Sequence, residues 1–114
     1  MKQASFLLLA LALVGCVKKA ELGTEKNPIK LYFIPSVDAK VIEDNSKVFK
    51  ALMEKYTPYK YEISIPQSYA AVIEAFGTKR ADVAAMTTFP YLIAHEKYGV
   101  EARLTVLRHG EATY

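Results

Sequence analysis

Hydroxyl side chains gather at four places in this chain: Ser36, the pair Ser68 and Tyr69, the pair Thr87 and Thr88, and the pair Thr113 and Tyr114. Two of these places, 68–69 and 87–88, are also where helices are expected to begin. A helix start presents backbone N–H groups with no intrahelical acceptor and a partial positive charge, so it attracts anions. Hydroxyls combined with such N–H groups suit a small oxyanion held by hydrogen bonds rather than by a counter-charge. No Lys or Arg lies within the four stretches, although Arg108 is adjacent to the last. Taken singly, each hydroxyl is more simply a helix cap or a solvated side chain. Their convergence on one edge of a sheet is what would make a site.

Catalytic chemistry is poorly served. A nucleophile needs a base within hydrogen-bond reach, and no such pair suggests itself. His95 follows Tyr91 by four residues and shares its helix face, and His109 stands alone, so neither reads as a metal ligand. Glu74 and Asp82 fall on a helix and at a strand start, where solvated faces and caps are the usual explanation. The chain reads as a non-enzymatic binding protein with no metal or cofactor.

The elements that must position these hydroxyls follow from periodicity. Residues 29–34 form a short, nearly continuous apolar run, as in a strand buried within a parallel sheet. Apolar side chains at Val41, Ile42, Val48, Phe49, Leu52, Met53 and Tyr56 trace a helical stripe, with Asp38 or Asn45 as candidate caps and Thr57 and Pro58 as its end. A second strand is expected near 60–65. A helix follows from Ser68, and Gly77 is expected just past its C-terminus. A third strand is expected over 81–86 and a helix from about Thr88 to Tyr98, with Thr87 or Thr88 as N-cap, Pro90 in its first turn and Gly99 as its stop. A fourth strand is expected near 102–108. The order βαβαβαβ with short connections predicts an α/β fold of three layers around a mostly parallel open sheet. Ligands of such sheets sit beyond the C-terminal strand ends. That rule selects residues 35–38, 66–69, 87–91 and 109–114.

Composition bounds the rest. The 114 residues allow one domain, and 52% hydrophobic content is ample for a core. A net charge of +3 is too small and too dispersed for nucleic acid. The cluster Tyr56, Tyr59 and Tyr61 suits edge-strand packing, and an exposed aromatic patch there could also mark a partner surface.

The N-terminus adds an address. Residues 1–3 carry a positive charge and 6–14 are apolar but shorter than the roughly 20 residues that span a bilayer, so 1–15 read as a signal peptide. Leu13-Val14-Gly15-Cys16 resembles a bacterial lipobox, and the chain's single cysteine falls at its reactive position. Lipidation of Cys16 would anchor the exported protein to the bacterial membrane, facing the periplasm or the cell exterior. Residues 16–27 read as a solvated tether that packs against nothing.

Several stretches together carry a family resemblance: Pro35-Ser36-Val37-Asp38-Ala39, Ser68-Tyr69-Ala70-Ala71-Val72-Ile73-Glu74-Ala75, Ala81-Asp82-Val83-Ala84, Tyr91-Leu92-Ile93-Ala94 and Arg108-His109-Gly110-Glu111-Ala112-Thr113-Tyr114. Over about residues 29–114 the chain resembles the phosphate-, phosphite- and phosphonate-binding proteins of ABC transporters. The resemblance implies a type II periplasmic-binding fold, with residues 28–114 as the first of two ligand-binding lobes and a monomer that delivers a small oxyanion to an ABC permease. It also implies ligand-binding roles for Tyr69 and Tyr114, with Ser36, Thr87 and Thr88 as further cleft-facing hydroxyls. The loop Met86-Thr87-Thr88-Phe89 departs from the family pattern, which often has a glycine there. A second lobe is expected to lie outside these residues, making the chain a fragment. The alternative reading is a periplasmic sensor or interaction lipoprotein that uses the same lobe without transport.

Overall fold

The computed structural model describes residues 19–35, 38–107 and 109–112. Six elements alternate along it: β1 (Ile29–Phe33), α1 (Ala39–Tyr56), β2 (Tyr61–Ser64), α2 (Tyr69–Gly77), β3 (Val83–Ala85) and α3 (Thr88–Tyr98). The sheet order is β2-β1-β3 and both pairings are parallel, with Leu31 opposite Ile63 on one side and Val83 on the other. The expected α/β class and parallel open sheet are therefore what the chain adopts.

β1 is the central strand, and its apolar run reflects burial on both faces. Phe33 meets Phe49 of α1 edge-on, ring centres 6.0 Å apart, so the odd positions of β1 share the α1 face. Leu31 and Ile34 are both buried. The crossover β1–α1–β2 runs one way along the sheet and β2–α2–β3 runs back past β1. Right-handed crossovers then put α1 and α2 on opposite faces, which gives three layers. The α2 side supplies the densest core: Val72, Ile73 and Ala75 of α2 with Ala94 of α3.

Local chemistry sets the boundaries. Asp38 caps α1, its carboxylate accepting from the N–H groups of Lys40 at 2.9 Å and Val41 at 3.3 Å. Thr57 closes that helix through its own N–H and hydroxyl, both donated to the Met53 carbonyl. β3 is shorter than the expected 81–86, because Ala81 N–H is donated back to the Ala75 carbonyl. Asp82 then opens the strand with a reciprocal pair: its N–H donates to the Lys30 carbonyl and its carboxylate accepts from Lys30 N–H. Gly99 ends α3 in the left-handed conformation at φ 67°, as expected.

Three expectations are corrected. No strand forms over 102–107 among the described residues, and Leu104, Val106 and Leu107 there are exposed. Alternation and β-branched residues supply a tendency, but a strand also needs a partner edge, and none among the described residues pairs with this segment. Gly77 does not lie past the end of α2 but is its last residue, with Thr78 as the cap residue. Its lack of a side chain serves a close approach instead: a Cβ there would lie 2.5 Å from the Tyr98 ring. The left-handed position is Lys79, at φ 56°.

Residues 20–27 are not a free spacer. Lys60 N–H donates to the Gly23 carbonyl, Asn27 donates its side-chain amide to the Ala20 carbonyl, and Gly23 is buried beneath the Tyr59 ring. Lys60 also pairs with Glu25 at 3.1 Å. Leu22 is the only large apolar residue of this stretch, so its attachment by backbone hydrogen bonds left no hydrophobic pattern to read. Residues 1–18, including the apolar run and Cys16, lie outside the described residues.

Candidate functional site

Because the strands are parallel, their C-terminal ends share one edge, and every β-to-α connection leaves from it. That edge carries the starts of α2 and α3, and with them Tyr69, Thr87 and Thr88. The structure thus brings three of the expected site residues to one edge, all exposed to solvent. Ser36 and Tyr114 lie outside the described residues.

The two helix starts differ in how their N–H groups are used. At α2, Ser68 takes an extended backbone and its hydroxyl oxygen accepts from Ala71 N–H at 3.2 Å, satisfying the third orphan donor. Tyr69 and Ala70 keep their N–H groups without a partner among the described residues. At α3, Thr87 occupies the equivalent extended position but makes no side-chain cap bond. A capping oxygen accepts from the second or third helical N–H, and the third residue of α3 is Pro90, which has none, so the proline removes one of the two capping partners and leaves only Phe89 N–H. The Thr87 hydroxyl and the N–H groups of Thr88 and Phe89 have no protein partner among the described residues.

The edge is a set of donors without cations. Among the described residues of the β-to-α connections the only charged group is Asp38, whose carboxylate is engaged with α1. Such an arrangement can hold a small oxyanion by directed N–H and O–H bonds aided by two helix dipoles. No group of three or more His, Cys, Asp or Glu side chains that could hold a metal occurs among the described residues.

Four titratable residues of α2 and α3 have structural roles. Glu74 on α2 receives hydrogen bonds from Lys97 Nζ at 2.7 Å and from the Tyr98 hydroxyl at 2.6 Å, tying α2 to α3. The Lys97 bond, with that of Tyr98, holds its carboxyl below the usual carboxylate range, and the bond to Glu74 raises the Tyr98 phenol. The sequence reading of Glu74 as a solvated helix residue missed this clamp; an acid on one helix with a Lys-Tyr pair at the end of the next was its only trace. His95 holds the end of α3, with Nδ1 2.9 Å from the Val100 carbonyl and its ring beside Tyr91. The N–H groups at Ala70 and Phe89, without a partner among the described residues, were also missed, and no sequence signal marks them.

A family model described as "ABC transporter, phosphonate, periplasmic substrate-binding protein" matches residues 31–114. No curated protein and no solved structure matches the chain. The match runs from Leu31 within β1 through α3 and takes in all four hydroxyl-bearing stretches. With most of its length accounted for in this way, the chain belongs to the phosphonate-binding family of periplasmic substrate-binding proteins of ABC transporters.

Proposed function

We propose that this chain captures a small phosphorus oxyanion (phosphonate, phosphite or phosphate) at the C-terminal sheet edge, for delivery to an ABC permease. The family is one of exported substrate-binding components, not of enzymes. The observation that carries the reading is the pair of helix starts on one edge, with donors that have no protein acceptor among the described residues. Tyr69, Thr87 and Thr88 are its reachable hydroxyls, and Ser36 and Tyr114 complete the proposed set. Cys16 is the proposed lipid attachment point, tested by mass spectrometry of the membrane-extracted chain; an unmodified thiol overturns it.

Among the described residues the edge is open, so an anion held by them alone keeps part of its shell in water. Hydrogen bonds in that setting contribute about 0.5–1.5 kcal/mol each, against the cost of immobilising the ligand. Two to four of them give a dissociation constant of about 1 mM or weaker. Titration of the 114-residue chain with methylphosphonate, phosphite and phosphate, followed by amide NMR shifts, tests this. Shifts should concentrate at Tyr69, Ala70, Thr88 and Phe89, and both Tyr69→Ala and Thr87→Val should weaken them. Shifts confined to surface lysines would overturn the site.

A further inference from the structure

The opposite sheet edge has a different character. It comprises residues 19–30, 55–62, 78–82 and 99–103, the segments that lead into strands or out of α3. These segments hold eight Lys and Arg against five carboxylates, whereas the remaining described residues hold four against seven. The positive charge therefore sits at the end away from the oxyanion edge. Leu22, Tyr56 and Tyr59 are exposed there, Tyr56 to 73%, and Lys55 Nζ lies 5.0 Å from the Tyr56 ring centre. A shallow groove at the same end is lined by Lys19, Leu22, Lys30, Phe76 and Lys79 among others. Lys79 projects from a left-handed turn position that glycine or asparagine adopts more readily.

Lysines interspersed with tyrosine and leucine suit the boundary between anionic headgroups and acyl chains, where the ring or methyls sink and the ammonium stays at the surface. The path of the chain adds an independent argument. Residues 20–27, which lead in from Cys16, are hydrogen-bonded to this edge through Gly23 and Lys60. An anchor at Cys16 would deliver this end to the membrane on a leader of few residues. We propose that this basic, tyrosine-bearing edge rests on anionic lipid headgroups, turning the oxyanion edge away from the bilayer. The inference rests on the anchored reading of Cys16 and is independent of which ligand the other edge holds.

The chain contains no Trp, so single-Trp reporters are unambiguous. Tyr56→Trp and Phe89→Trp place one at each end, both at exposed aromatic positions. The chain purified from membranes is reconstituted into phosphatidylglycerol–phosphatidylcholine vesicles whose acyl chains are brominated near the headgroup. Flotation reports attachment and quenching reports contact. Trp at 56 should be quenched and Trp at 89 not, and the quenching should fade in vesicles of phosphatidylcholine alone. Each cation at such a surface changes partitioning about fivefold. Lys79→Glu with Arg80→Glu should therefore cut the surface-resting population by about tenfold or more. A floating chain with equal quenching at both positions, or quenching indifferent to phosphatidylglycerol, overturns this inference alone. A chain that does not float overturns the anchoring and this inference together.

Discussion

The two edges of this small sheet are built from the same kinds of connection yet treat their polar groups in opposite ways. At the strand-entry edge the backbone is closed off: Gly23, Asn27, Lys60, Ala81 and Asp82 exchange hydrogen bonds with neighbouring segments, and a glycine lies beneath a tyrosine ring. At the strand-exit edge two helix starts leave N–H groups and hydroxyls unpaired among the described residues. Buried polar groups are normally satisfied, and exposed ones that are collected in one place are available to a ligand. Stability is thus invested at one edge and recognition at the other. Substitutions should separate accordingly.

The largest effect is expected at the closed edge. Gly23 has φ 87°, and a Cβ on it would sit 2.6 Å from the Tyr59 ring. Gly23→Ala should lower the urea-unfolding free energy by about 2–4 kcal/mol through left-handed strain plus displacement of the ring, leaving the anion-induced NMR shifts in place. A loss below about 0.5 kcal/mol would mean that residues 20–27 are not part of the folded unit.

Next come the two cap positions of the open edge, which provide an internal control. Ser68→Ala removes a formed cap bond and should cost about 1 kcal/mol. Thr87→Ala removes a hydroxyl that caps nothing and should stay within about 0.5 kcal/mol of wild type while weakening anion binding. Equal costs at both positions would break the distinction between a satisfied and an unsatisfied helix start.

The smallest effect concerns acid. Glu74 has its folded pKa lowered, first by the Lys97 hydrogen bond and then by that of Tyr98. A depressed carboxylate contributes stability above its unfolded pKa, and this is lost as pH falls through the folded value. The clamp between α2 and α3 should therefore hold at neutral pH and loosen only below about pH 4.5, the ordinary carboxylate range. Because both partners are half exposed, solvent screens the pair and the midpoint shift in thermal melts should be small. Tyr98→Phe with Glu74→Gln should remove that acid-range shift; its persistence would assign it elsewhere.

Much of the fold was legible because its signals are local. The apolar run of β1, the α1 stripe, and the Asp38, Ser68 and Gly99 signals are each read within a few residues, and the edge that collects the hydroxyls follows from strand order alone. What was illegible depends on distant partners. Gly77 resembles a helix stop until Tyr98, 21 positions later, is placed above it. Residues 20–27 look like linker because their attachment runs through backbone groups, which every sequence has. The segment after α3 has strand composition but no partner edge among the described residues. Thr87 is a partial case: Pro90 removes one of the two N–H groups a cap could reach, and that much is written locally.

The exposed run Leu104, Thr105, Val106 and Leu107 has a practical consequence for handling the protein. Short, uncharged, β-prone segments without a neighbour pair readily with copies of themselves. Preparations of this chain should self-associate with rising concentration, through that run rather than through either sheet edge. Thr105→Lys, which places a charge in the middle of the run, should delay it in light scattering while leaving the folded lobe unchanged.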